Sequence, residues 1–121
     1  MVLTNNFIGD LINQLKQRVI DNFNYIALGT DGTNPTENDT SLGNEIFRKQ
    51  RQEYTEGLDY VIVTAWIAST EANGHTIREF GWFDIDTNGN LFAREIIGDL
   101  EKTSDIEILI DYKITFIIEQ S

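Results

Sequence analysis

The stretch Ile106-Glu107-Ile108-Leu109-Ile110-Asp111-Tyr112-Lys113-Ile114-Thr115-Phe116-Ile117-Ile118 decides the fold of this chain. Ile106, Ile108, Ile110, Tyr112, Ile114, Phe116 and Ile118 recur at strict period two, with Glu107, Asp111, Lys113 and Glu119 on the other face. Successive side chains of a strand point to opposite sides, so a slip of one residue would turn the whole apolar row into water. The register is therefore fixed, and one face of the strand must be covered. Fully extended over 106–118, it would run about 40 Å at roughly 3.3 Å per residue, more than one small sandwich needs. Part of it is expected to pair or pack against another subunit.

Upstream the patterning remains that of strands. Residues 76–85 and 91–97 flank Asp86-Thr87-Asn88-Gly89-Asn90, whose Asn-Gly step favours the left-handed backbone of a tight hairpin. Residues 60–68, YVIVTAWIA, are apolar on both faces, as in a central strand covered on two sides. Residues 46–54 read as one solvated edge strand with a basic start at Arg48, Lys49 and Arg51, preceded by a single helical turn at 41–45. Tyr25-Ile26-Ala27-Leu28 is a short strand, and residues 29–40 form a polar loop that holds the only proline, Pro35.

Residues 5–23 alone follow a helical period. Phe7, Ile8, Leu11, Ile12, Leu15, Val19 and Phe23 have the three-and-four spacing of one helix face. Thr4, Asn5 or Asn6 can cap this helix, and Asp10 near its start with Lys16 and Arg18 near its end suits the helix dipole. It is too short for a stable isolated coiled coil and is expected to dock on a sheet or on neighbouring subunits. The fold class that follows is mainly β (α+β). It is a single domain over 1–121, with an N-terminal amphipathic helix at 5–23 and an antiparallel β-sandwich at 25–119.

Composition narrows the function. In 121 residues, 20 Asp and Glu face 9 Lys and Arg, a net charge of −11. The mean field repels phosphate backbones, so nucleic acid is not an expected partner. With no cysteine there is no disulfide, no zinc-thiolate site and no thiol nucleophile. Neither a signal-peptide pattern nor a run of about 18 apolar residues is present, so no membrane partner is expected.

Asp84-Ile85-Asp86-Thr87-Asn88-Gly89 with Glu95 at the twelfth place matches the calcium-loop pattern D-x-[DN]-x-[DN]-G-x5-E. That loop requires a helix on each side, whereas Ile77, Phe80, Trp82 and Phe83 before it and Leu91-Phe92 after it are strand formers. A strand from Leu91 carries Glu95 about 13 Å away, beyond reach of a cation in the turn. No metal or other cofactor is expected, with a turn site made of Asp84, Asp86 and Asn88 as the alternative.

Gly74-His75-Thr76-Ile77-Arg78-Glu79-Phe80-Gly81-Trp82-Phe83-Asp84, followed by Gly89-Asn90-Leu91-Phe92-Ala93-Arg94, resembles a "TIRE-x-G-x-F/Y-D … G-x-L-x-A" pattern of bacteriophage tail-fibre proteins. Upstream, Ala27-Leu28-Gly29 through Pro35, then Asp39-Thr40-Ser41-Leu42-Gly43-Asn44-Glu45-Ile46-Phe47-Arg48, is similar to the family's "ALG-G-x-x-x-P … D-T-x-L-x-N-E-x-x-R". Lys102-Thr103-Ser104-Asp105 and the alternating strand resemble its closing segment. The strings occur in family order over most of the chain. The resemblance implies a β-rich, particle-proximal module that attaches the fibre and oligomerises. A chain ending at Ser121 is expected to be a stand-alone copy without shaft or tip, placed in the virion after synthesis in the host cytoplasm.

No nucleophile elbow, phosphate loop, HExxH or dinucleotide fingerprint occurs, and His75, the only histidine, sits in a Gly-His turn. The expectation is a non-enzymatic virion structural protein of the tail, baseplate or fibre-attachment region, a trimer or higher homo-oligomer that also contacts other virion proteins. Capsid or neck decoration is the alternative, and a calcium- or carbohydrate-binding module (using Trp66, Trp82 or Tyr60) a further one. The expected interface or structural residues are Phe7, Leu11, Leu15, Arg48, Arg78, Glu79, Gly81, Trp82, Ile110, Ile114 and Phe116. Gly81, inside a bulky strand, signals a bulge or a close backbone approach. Arg78 is expected to pair with an acidic neighbour such as Glu95 or Asp111.

Overall fold

In a computed structural model, which describes residues 1–120, the middle of the period-two row, Ile108 to Ile114, lies on the inner face of one of two antiparallel sheets. Helix α1 (Asn5–Asn22) precedes strands β1 (Tyr25–Gly29), β2 (Glu45–Gln50), β3 (Glu53–Glu56), β4 (Tyr60–Ile67), β5 (His75–Phe83), β6 (Leu91–Lys102) and β7 (Ile108–Thr115). One sheet has the order β2-β1-β5-β6 and the other β3-β4-β7. Together they form an α+β sandwich.

Ile26, Leu28, Ile77 and Trp82 from the first sheet meet Val61, Val63, Ala65, Ile67 and Ile110 from the second, and Val19 and Ile20 of α1 join the same core. A buried side chain of this size contributes roughly 1.5–3 kcal/mol. The apolar row of β7 reaches the core as its alternation requires, while Glu107, Asp111, Lys113 and Glu119 are exposed. The strand itself is shorter than its pattern, because pairing runs only from Ile108↔Ile67 to Thr115↔Tyr60. Phe116 then donates its N–H to the Asp59 carbonyl (2.8 Å) at the end of β4, and residues 116–120 leave the sheet.

Three further expectations are corrected. Residues 46–54 are not one strand but two, in different sheets. Between them Arg51 donates its backbone N–H to the Asn24 carbonyl (2.8 Å) and Gln52 to that of Thr64 (2.7 Å), so the chain turns from one layer to the other. Residues 41–44 bend without forming a helical turn, and Glu45 already begins β2. Strand β6 continues past Ile97 to Lys102, although Ile97, Gly98 and Asp99 bulge opposite Arg78.

Helix α1 begins at Thr4, whose Oγ1 accepts from the Phe7 N–H at 3.4 Å. At its other end the Arg51 guanidinium donates to the carbonyls of Ile20 (2.6 Å) and Phe23 (3.1 Å), a cation on the negative end of the helix. Lys16, buried, donates to the Gly57 carbonyl at 2.9 Å. The apolar stripe is less covered toward the N-terminus: Ile8, Leu11, Ile12 and Leu15 are half-buried and Phe7 is 51% exposed. The chain ends lie side by side, Leu3 donating its N–H to Gln120 Oε1 (2.9 Å) and Gln120 Nε2 donating to the Leu3 carbonyl (3.4 Å).

Candidate functional site

The outer face of the first sheet carries the densest polar arrangement in the molecule. Ile26 and Leu28 face the core, so Ala27 and Gly29 face outward, and the pairing Ala27↔Gly81 and Gly29↔Glu79 puts Glu79, Gly81 and Phe83 on that outward side. The polar loop between β1 and β2 folds back over this face. Leu42 is its apolar plug, packed with Ala27 and Phe83. The close approach at Gly81 is to this plug: a Cβ there would meet Leu42 Cδ2 at 2.8 Å, Leu91 Cδ1 at 2.9 Å and the Ala93 carbonyl at 3.0 Å.

Glu79 is the hub. Its side chain is fully buried, and its carboxylate accepts from the backbone N–H groups of Asp31 (2.9 Å), Gly43 (2.8 Å) and Asn44 (2.9 Å) and from Arg94 Nε (2.9 Å). Burying a carboxylate is tolerable only when its acceptor sites are filled by donors of this kind. Arg94 also donates to Asp39 Oδ2 at 3.1 Å. Burial opposes the charge on Arg94, but the bonds and charges of Glu79 and then Asp39 more than offset it, and its pKa is raised. Asp39 accepts from the Thr36 N–H and hydroxyl, which, with Arg94, hold its carboxyl below the ordinary value despite desolvation. Asp31 is lowered mainly by the Thr33 hydroxyl and N–H, against some desolvation.

A second node locks the hairpin between β5 and β6. Asn88 (φ 57°) and Gly89 (φ 78°) both take the left-handed backbone that the Asn-Gly step promises. Asp84 accepts from the Asn90 N–H (2.7 Å) and from Asn90 Nδ2 (3.0 Å), which together lower its carboxyl pKa. Arg48 Nη1 donates to the Ile85 and Asn88 carbonyls, both at 2.8 Å, while the rest of its guanidinium forks onto Glu45 (2.8 and 2.6 Å) and its centre sits 3.7 Å from the Phe83 ring centroid. A guanidinium therefore lies against two carbonyls of this turn, and the Asp84 carboxylate already accepts two bonds from Asn90. Among the described residues, no cluster of three His, Cys, Asp or Glu has metal-binding geometry.

The other sequence-nominated residues divide between core and surface. Trp82 and Ile110 lie in the interior. The Trp82 Nε1–H finds no acceptor, and its ring lies 6.4 Å from that of Phe23. Leu15 and Phe116, with Val19, Phe23 and Phe92, line an apolar groove beside α1, and Ile114 is half-buried. Arg78 pairs with Asp99 (3.0 Å) and donates to the Thr30 carbonyl (3.2 Å), rather than pairing with Glu95 or Asp111, because the β6 bulge brings Asp99 to it. The basic stretch 48–51, at the end of β2 and just after it, is engaged within the chain: Lys49 reaches Glu71 and the Trp66 carbonyl, both at 2.8 Å, and Arg51 caps α1. His75 is exposed, and the two tryptophans form no coplanar exposed pair, since Trp82 is enclosed and Trp66 lies under Lys49.

Sequence reasoning missed Asp31, Asp39 and Arg94 as one unit with Glu79. It also missed Lys102, buried, which donates to Asn73 Oδ1 (2.7 Å) and the Thr103 carbonyl (3.0 Å) and ties down the loop before β5. The available signal was that Glu79 and Arg94 flank the same hairpin at outward-facing strand positions. No protein-family model matches this chain, and a search of curated proteins returns no match.

Proposed function

We propose that this chain is a non-enzymatic structural module of a bacteriophage virion. It acts as a homo-oligomer in the tail, baseplate or fibre-attachment region, with capsid or neck decoration as the alternative position. One observation carries the reading: the short strings that resemble the tail-fibre pattern, far apart in sequence, meet in space. Asp31, Asp39, Gly43 and Asn44 from the upstream string join Glu79 from the central one and Arg94 after the turn, and Arg48 from the first, braced by Glu45, grips the turn that follows the second. The Glu79 carboxylate is wholly enclosed and accepts from three backbone N–H groups and Arg94, which supports a role in architecture. The partly covered stripe of α1, ending in the exposed Phe7, supplies an apolar surface for association.

Immunogold labelling or electron cryomicroscopy of phage particles tests this. Label at fixed positions on the tail or baseplate is the expected result, and label on the capsid or neck selects the alternative. Particles that lack the protein altogether would overturn both.

A further inference from the structure

We propose that the free edge of β7, with the apolar cleft beside it, takes an extended basic segment of another protein as an added strand. Strand β7 pairs with β4 without interruption and is the last strand of its sheet. In an antiparallel strand alternate residues direct N–H and C=O away from the paired side. Among the described residues no further backbone group meets those of β7. Strand β6, the edge of the other sheet that flanks the same cleft, is a poorer template because its bulges at 97–99 and at Phe92 bend it.

Between the two edges lies a cleft of about 270 Å³ that opens to Leu28, Ile77, Phe80, Ile97, Ile108 and Ile110. Leu28 and Ile77 are core residues, so the cleft reaches the interior from the side. Leu109, on the outward face of β7, is 66% exposed. An incoming strand would place alternate apolar side chains over the cleft.

Charge selects the partner. The segment 91–115 exposes Glu95, Asp99, Glu101, Asp105, Glu107 and Asp111 against the single exposed cation Lys113. Its other cations, Arg94 and Lys102, are taken up by internal bonds, Lys113 lies over the Tyr60 ring, and among the acids Asp99 is paired with Arg78. Glu95 stands close enough to β7 that its charge, after partial burial, contributes to raising the pKa of Tyr112. A second copy would bring the same net-acidic surround of β7 to within the screening length, although β7 itself balances Asp111 with Lys113. The cations of β2, Arg48 and Lys49, and Arg51 just after it are engaged at home. The complementary occupant is therefore a strand of alternating apolar and basic residues from a different protein. This inference does not rest on the virion reading.

The test titrates the full chain with a short fluorescent peptide of alternating valine and arginine, and compares a valine–glutamate peptide and a proline-interrupted arginine peptide of equal charge. Binding by the first alone is expected, with amide exchange slowed over 108–115. Binding should weaken at least about tenfold in the Glu107→Lys/Asp111→Lys variant, checked by its melting curve. If that variant does not fold, the exchange measurement on the unaltered chain decides. Absent binding, or equal binding of the proline-interrupted peptide, overturns the proposal. So does a peptide-free dimer in which amides 108–115 are already protected, which would assign the edge to a second copy.

Discussion

Arg94 Nε lies 2.9 Å from Glu79 Oε1, and the two side chains project from paired neighbouring strands onto the outer face of the first sheet, under the loop between β1 and β2. The Glu79 side chain is wholly enclosed and that of Arg94 is 5% exposed. The same carboxylate takes three backbone N–H groups from the loop. One charge thus holds together three segments that have no local reason to meet.

Glu79→Gln keeps the shape but leaves Arg94 with a diminished counter-charge and turns one acceptor into a donor facing backbone N–H groups. The expected loss is about 3 kcal/mol, the usual scale for breaking a buried pair by changing one partner. Urea unfolding measures it, and a loss below about 0.5 kcal/mol would contradict the hub role.

Gly81→Ala places a methyl group against Leu42 Cδ2 and the Ala93 carbonyl. Overpacking of this kind costs about 1–3 kcal/mol. Shortening the plug makes room, so Gly81→Ala/Leu42→Ala should be less destabilised than the sum of the single variants. Strict additivity in a double-mutant cycle would mean that the two residues do not touch.

Acid should unfold the chain through a defined set of carboxyls. Asp31, Asp39 and Asp84 are all held below the ordinary value of 3.8, chiefly by hydrogen bonds from Thr33, Thr36 and Asn90 respectively. Glu71 is held below 4.5, first by its bond from Lys49. Because the folded values are depressed, the stabilisation is present above the unfolded values and is lost as pH falls through the folded ones. Melting temperature should change little through these groups near neutrality and fall below about pH 4. In Asp84→Asn the acid decline should be shallower.

Calcium in millimolar excess and its removal by chelator should give the same melting temperature, because Arg48 covers the Ile85 and Asn88 carbonyls. Arg48→Met removes that bracket and should cost about 2 kcal/mol, the scale of a charged hydrogen bond left unmade. A calcium-dependent rise in the unaltered chain would refute the assignment of this turn to Arg48.

Phe7→Ser separates association from folding. Phe7 is half-exposed, so the change should move chain stability by no more than about 0.5 kcal/mol. If α1 carries the proposed oligomer contact, sedimentation velocity should show a smaller assembly for this variant. An unchanged assembly would remove the helix from the interface.

The fold was legible where one residue's surroundings are set by its near neighbours. The alternation of Ile108, Ile110, Tyr112 and Ile114 needs only the strand period, and the Asn88-Gly89 turn only the preference of two residues for left-handed backbone. The break in 46–54 was not legible, because neither glycine nor proline marks it. Arg51 turns there since its side chain caps a helix 28 residues away and its N–H meets Asn24. The node was half legible: Gly81 announced a close approach, but not that Leu42 makes it. Glu79 gave no local sign that its partners lie 15 to 48 residues off. Such a carboxylate looks like any surface acid until the loop is folded over it.

The reciprocal bonds between Leu3 and Gln120 leave the chain one short link from being a ring. A few residues would join these ends, and new ends opened in the exposed hairpin turn at 86–90 would lie across the sequence from the old ones. Folding of such a rearranged chain would mean that the sandwich is specified by which surfaces meet, and not by the order in which its strands are joined.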